Sequence, residues 1–376
     1  MKRKSFIGLA ALAAAFPPAP VKPQENTPVR SGRKALILVG GADRGAYEAG
    51  AIQALTQVQG VGDGQPLGFD MVCGTSIGAL NGFMVATAQY KTLQRLWRSV
   101  IPSRDVFRLK KQFNAIQEPE SGILDRLAAA FTLSSGLVKN VTGILDPAPV
   151  RELLAEYVDP DAPSYLPFYI STTNITRQTH ELFVRRATTA SGRAKQSVND
   201  ALLASSSENM RIADDLLLRN VLFASAAIPV LFDPILIPRE HDPQTLDAYV
   251  DGGVTQNVPL DVALLCADSL NVILVSPARV DVNEAYSSAL DIGLGTFYTM
   301  QARILAYQIR LAYALGEAKL PFTAYEIRPA RELPGGGADF SNQAVRETMW
   351  QLGFQDMVRG WVSFTPPANL PFDSTF

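Results

Sequence analysis

Short apolar runs, glycine turns and helix-period stretches alternate along most of the chain. Ala35-Leu36-Ile37-Leu38-Val39 is uninterrupted and ends on Gly40-Gly41, which predicts a strand buried on both faces. From Gly45 to Val58 the apolar positions take helical spacing, with Tyr47, Ala51, Ala54 and Leu55 on one side. Phe69 to Cys73 is a second strand, and small residues after Ser76 open a second helix. A βαβα unit of this kind predicts an α/β fold: three layers, with a mostly parallel central sheet and helices on both faces.

Farther on, Phe168 to Thr172 is expected to pair antiparallel with Thr179 to Val184 across a turn at Asn174 to Gln178. Strands are also expected at 235–237, 248–250, 272–275 and 323–328. Helices are expected over 216–226, 262–270, 284–319 and 343–358. Residues 90–145 carry Trp97, Phe107, Phe113, Leu127 and Phe131 at helical but irregular spacing. They form a helical excursion that either covers a site or packs as ordinary surface helices.

The N-terminus follows a different pattern. Lys2, Arg3 and Lys4 precede an apolar run from Phe6 to Phe16, too short to span a bilayer, and Ala13-Ala14-Ala15 supplies small residues for a cleavage site. This predicts a signal peptide over 1–15, cleaved after Ala15, and a secreted or periplasmic protein with no transmembrane segment once the signal is removed. A proline-rich linker, 16–33, follows, then one domain over 34–360 and a tail over 361–376. Of 376 residues, 47% are hydrophobic and 19% charged, which is a globular composition. A net charge of -2 offers no basic excess for nucleic acid. Cys73 and Cys266 fall in predicted core elements and are expected as buried free thiols; no Cys/His cluster has metal spacing.

Three stretches carry chemistry. Gly74-Thr75-Ser76-Ile77-Gly78, between strand and helix, has the nucleophile-elbow spacing. Gly40-Gly41-Ala42-Asp43-Arg44-Gly45 follows the first strand and opens a helix. It lacks the spacing of a dinucleotide fingerprint or a P-loop, which leaves an oxyanion hole built from backbone N–H groups. Asp251-Gly252-Gly253 ends the strand 248–250. The two histidines, His180 and His241, both precede Asp251, the reverse of the chain order in ordinary α/β hydrolases. His241 sits in a polar loop and His180 in a hairpin strand, so Asp251 is the better candidate for the base.

These motifs, in this order, resemble the patatin-like phospholipase family. Ala224-Ser225-Ala226-Ala227-Ile228-Pro229, Phe232-Asp233-Pro234, Asn257-Val258-Pro259, Leu145-Asp146-Pro147 and Asp339-Phe340 add to the resemblance, which covers roughly 34 to 360. It implies that Ser76 is the nucleophile and forms an acyl-enzyme, with Asp251 as base and then acid. The oxyanion hole would come from Gly40, Gly41, Ala42 and Asp43. Gly45, Gly74, Gly78, Gly252 and Gly253 would support the motifs, and Arg44 would steady the loop or meet a headgroup phosphate. The implied reaction is hydrolysis of a fatty-acyl ester at a membrane or micelle surface, of phospholipase A or lysophospholipase type, with no metal or organic cofactor. A general carboxylesterase, and a catalytically weak lipid- or partner-binding protein of this fold, stay open. Where the family usually has a third glycine this chain has Ala42, which would be strained if that position takes a positive φ.

Overall fold

The computed structural model describes residues 32–111, 142–204, 206, 210–276, 296–297, 299–301, 303–304, 307–308, 322–334 and 340–363. The expected signal peptide, nearly all of the linker, the middle of the 90–145 excursion, most of the helix over 284–319, Asp339 and most of the tail lie outside the described residues.

The expected βαβα unit is present. Strand β1 (Lys34–Leu38) leads into helix α1 (Gly45–Gln59), then β2 (Met71–Thr75) and α2 (Ile77–Ala86). Strand β2 starts two residues later than the apolar run suggests. Phe69 lies in a turn, its N–H on Leu67 O, and Asp70 receives the N–H of Lys34 on Oδ2 at 2.8 Å. Pairing therefore continues through Gly74 and Thr75, up to the serine itself.

Helix α3 (Tyr90–Arg95) continues into a π-helical turn over Leu96–Val100. Helix α4 (Ala148–Tyr157) precedes β3 (Phe168–Asn174) and β4 (Thr179–Arg185), which pair antiparallel as expected. Then come α5 (Ala190–Leu203), β5 (Met210–Ile212), α6 (Leu218–Ser225), β6 (Ile235–Pro238) and β7 (Leu246–Asp251). Helix α7 (Leu260–Cys266) ends four residues before the expected limit, because Leu270 belongs to β8 (Ser269–Ile273), parallel to β1. Strand β9 (Thr323–Ile327), helix α8 (Gln343–Arg359) and β10 (Val362–Ser363) complete the described elements. Cys73 and Cys266 are buried and free.

The sheet runs β10-β9-β8-β1-β2-β3-β4-β5, with β7 added to β3 and β6 to β7. From β9 to β3 every pairing is parallel. β1 and β2 are apolar and buried along almost their whole length, as strands covered on both faces must be. On the face carrying α1, helix α8 packs outside it, and Tyr47 donates from α1 to Asp356 of α8 at 2.8 Å.

The chain crosses from parallel to antiparallel pairing at β3. One edge of β3 is taken entirely by β4. The other edge is shared: β2 covers Phe168 to Ser171, and β7, running the other way, covers Thr172 to Asn174. Thr75 therefore faces Ser171, and Asp251 faces the next residue, Thr172. The register brings the C-terminal ends of β2 and β7 together.

Candidate active site

Ser76 follows Thr75 directly, at the junction of β2 and α2. Its backbone holds φ 55 and ψ -126, a conformation that L-residues rarely adopt and that persists only where surroundings enforce it. Two features enforce it. The N–H of Ser76 donates to Ser225 Oγ at 2.9 Å, and Ser225 in turn donates to Ser171 O at 2.7 Å. A Cβ added at Gly78 would lie 2.5 Å from Leu38 O, so only glycine lets the first turn of α2 press against the end of β1. Ser76 is 5% exposed.

Asp251 ends β7 on the same edge of β3. It accepts a hydrogen bond from the N–H of Gly253 at 2.7 Å, and it shares the edge of β3 with Ser76. Its own N–H donates to Ala227 O at 2.9 Å. The segment Ser225–Ala227 is thus bonded to the backbones of both site residues. Burial pushes the Asp251 carboxyl up to about 7 from its ordinary 3.8, against the opposing pull of neighbouring donors such as the N–H of Gly253.

The glycine loop lies on the other side of the serine. A Cβ at Gly40 would come within 3.1 Å of Ser76 Cβ and 2.4 Å of Asn257 Oδ1, so the close approach requires glycine. The N–H of Gly40 is engaged, donating to Asn257 Oδ1 at 2.9 Å. Among the described residues, the N–H groups of Gly41 and Ala42 meet no acceptor. Ala42 stands at φ 50, in the left-handed region where the missing glycine would be unstrained. Asp43 is buried, and Arg44 pairs with Glu332 at 3.3 Å.

The histidines are elsewhere. His241 is exposed. His180 bonds Ser171 Oγ at 3.0 Å, and burial pushes it down to about 4, so it is neutral at pH 7.

Beside Ser76 and Ala42 opens a pocket with an almost wholly apolar lining. Ile77, Leu80 and Met84 of α2 form one wall, Leu93 and Trp97 another, and Leu153, Leu154 and Phe223 a third. The described start of the 90–145 excursion thus contributes pocket wall. Beneath the glycine loop lies a buried polar group. Glu48 of α1 accepts from the N–H of Val39 at 2.8 Å and from Asn81 Nδ2 at 2.9 Å, and Trp97 Nε1 donates to Asn81 Oδ1 at 2.8 Å. Burial pushes the Glu48 carboxyl up to about 8. Sequence reasoning did not find Glu48 or Asn81, and it named Trp97 only within the 90–145 excursion. It marked the segments holding Ser225 and Asn257 only by resemblance, since neither residue type announces a bond to a distant backbone.

A mostly parallel α/β sheet with a serine elbow at a strand end and an apolar pocket beside it defines an α/β fold of hydrolase type. The chain belongs to the patatin-like phospholipase family, which matches residues 36–264, from β1 through the glycine loop, elbow and Asp251 into α7. The family is one of lipid acyl hydrolases, acting on ester bonds. Among solved structures, VipD from Legionella pneumophila is similar at 16% identity and a TM-score of 0.37, covering 88% of this chain and 68% of that one. No curated protein matches the chain. No described helix is long and apolar enough to cross a membrane.

Proposed function

We propose that the protein is an exported lipid acyl hydrolase of phospholipase A or lysophospholipase type, working through Ser76 and Asp251. The observation that carries this reading is the meeting of Ser76, on its strained turn, and a buried Asp251 carboxyl on one edge of β3, beside an apolar pocket.

Asp251 takes the hydroxyl proton as Ser76 Oγ attacks the acyl carbonyl carbon. A carboxyl raised to about 7 is a far better base than one near 3.8, and it remains ionised in part at neutral pH. The tetrahedral oxyanion is received by the N–H groups of Gly41 and Ala42, Gly40 being engaged with Asn257. Protonated Asp251 returns its proton to the leaving alcohol, and the acyl group stays on Ser76. Water then attacks the acyl-enzyme with Asp251 again as base, releasing the fatty acid. Ala42 costs stability but keeps the loop's left-handed geometry, which supports a working hole over a purely binding role. Apolar lining on the acyl side supports lipids over short soluble esters, because each buried methylene adds about 0.8 kcal/mol.

Export belongs to the same reading, through the N-terminal pattern of residues 1–15 and the linker that follows. The catalytic domain spans 34–360.

A fluorophosphonate probe should label the folded protein, and Ser76→Ala should abolish labelling; no labelling of wild type would sink the enzymatic reading. Fatty acid released from phosphatidylcholine or lysophosphatidylcholine should exceed turnover of p-nitrophenyl acetate. The reverse preference would make the protein a general carboxylesterase.

A further inference from the structure

We propose that Glu48, Asn81 and Trp97 form a positioning network that couples filling of the acyl pocket to the shape of the glycine loop, so that a longer acyl chain raises kcat as well as lowering KM. This rests on the reading of Ser76 and its loop given above.

The network grips the loop at both ends. At its start, Glu48 Oε1 accepts from the N–H of Val39, the residue before Gly40. At its end, Asn81 Nδ2 donates to Gly45 O at 3.1 Å while also donating to Glu48 Oε2. Trp97 closes the same end sterically, since a Cβ on Gly45 would lie 2.6 Å from the indole ring. The Nε1–H of Trp97 then fixes the amide of Asn81, leaving its nitrogen free to point at Glu48 and Gly45. All three side chains are buried.

The other side of the network is the pocket. Asn81 and Trp97 line the same cavity as Ser76 and Ala42, so an acyl chain in the pocket packs on the side chains that brace the loop. Trp97 also stacks near Phe340, another lining residue, with ring centroids 6.3 Å apart. A bound chain packs the cavity side of the indole and restricts Trp97 and Asn81. The Gly41 and Ala42 donors are then held where the oxyanion forms. Binding energy from the unreactive tail is thereby expressed in the chemical step. Glu48 and Asn81 touch no reacting atom, so they are positioning residues and not catalytic ones. Trp97 touches the acyl chain only.

The experiment measures kcat and KM on p-nitrophenyl butyrate and octanoate for wild type, Trp97→Phe and Glu48→Gln. Wild type should show a kcat on octanoate about tenfold above that on butyrate, in the range expected for coupling through a packed network. Trp97→Phe keeps an aromatic wall and deletes the N–H donor. Its kcat ratio should fall to about two while the KM ratio stays apolar and large. Glu48→Gln, compared at pH 9 where the wild-type carboxyl is ionised, has the same shape but turns an NH₂ toward Asn81 Nδ2. It should lower kcat on both esters together by about tenfold, with KM and thermal midpoint held. A purely structural role would move the midpoint and leave the kcat ratio alone. An active wild type whose kcat ratio is flat, or is unchanged in folded Trp97→Phe, overturns the coupling alone. Wild-type kcat in Glu48→Gln also overturns it. A wild type that turns over neither ester overturns the reading of Ser76 beneath it.

Discussion

Ser76 and Asp251 meet on one edge of β3, yet the chain holds them in opposite ways. Ser76 sits at φ 55, and its backbone is held by side chains from elsewhere in the sequence. Asp251 keeps a negative φ, -44 with ψ 131, and accepts the N–H of Gly253 two residues on. One residue is aimed by enforced strain, the other tuned by burial. The difference fits the tasks proposed for them. A nucleophile needs direction, which dihedral angles supply. A base needs affinity for a proton, which the surroundings supply.

The largest test of this contrast removes the tuned group. Asp251→Asn keeps the shape but accepts no proton, so fatty-acid release should fall by about 10²–10⁴-fold with the fold intact. Retained turnover would mean that another base serves Ser76.

Ser225→Ala attacks the other side. It leaves the buried N–H of Ser76 without an acceptor, which costs about 1–3 kcal/mol. If the elbow bears that cost in its aim, kcat and the rate of fluorophosphonate labelling should fall by about 10–100-fold, with KM held. A core variant with the same loss of thermal midpoint should label at the wild-type rate.

The pH profile separates tuning from aim. With Asp251 as the proposed base, which works only when ionised, kcat/KM should rise about tenfold per pH unit below 7 and level off above it. The stability linkage has the opposite sense. The folded value is raised from 3.8, so the stability this carboxyl allows is full below about 4 and is lost as pH climbs through 7. Asp251→Asn should remove that loss, and its absence from wild type would show that burial does not tune the group.

The smallest effect is expected at Ala42. Ala42→Gly relieves a left-handed alanine but frees the unfolded chain, for a net gain of about 0.5–1 kcal/mol. Thermal unfolding should register it, with turnover almost unchanged. A large change in turnover would mean that the methyl group, which lines the pocket, takes part in selecting substrate.

Legibility in the sequence followed how local each feature is. β1, β2 and α1 announced themselves because both faces of their sheet are covered and their runs are apolar. Helix α5 was passed over: Ala190–Leu203 is mostly polar, and it buries Gln196 and Asn199 where a periodic reading looks for Leu or Val. Helix α4, Ala148–Tyr157, repeats Val150, Leu153 and Leu154 within ten residues, too few for a period to stand out. The antiparallel end of the sheet buries Glu181, Asp247 and Arg211 together, charges that look like surface until their partners are known.

At the candidate site itself, the sequence alone marked the elbow serine, the glycine loop and the aspartate that follows. Each is a matter of local backbone demand or of composition. Tertiary structure alone decided the rest. The shared edge of β3 made Ser76 and Asp251 neighbours, and Asn257 took the N–H of Gly40 out of the donor set. Burial raised Asp251 into the range of a useful base, and helices from separate stretches closed an apolar pocket beside the serine. Strand register, solvent exclusion and cavity shape arise from segments far apart in the chain, so no local pattern encodes them.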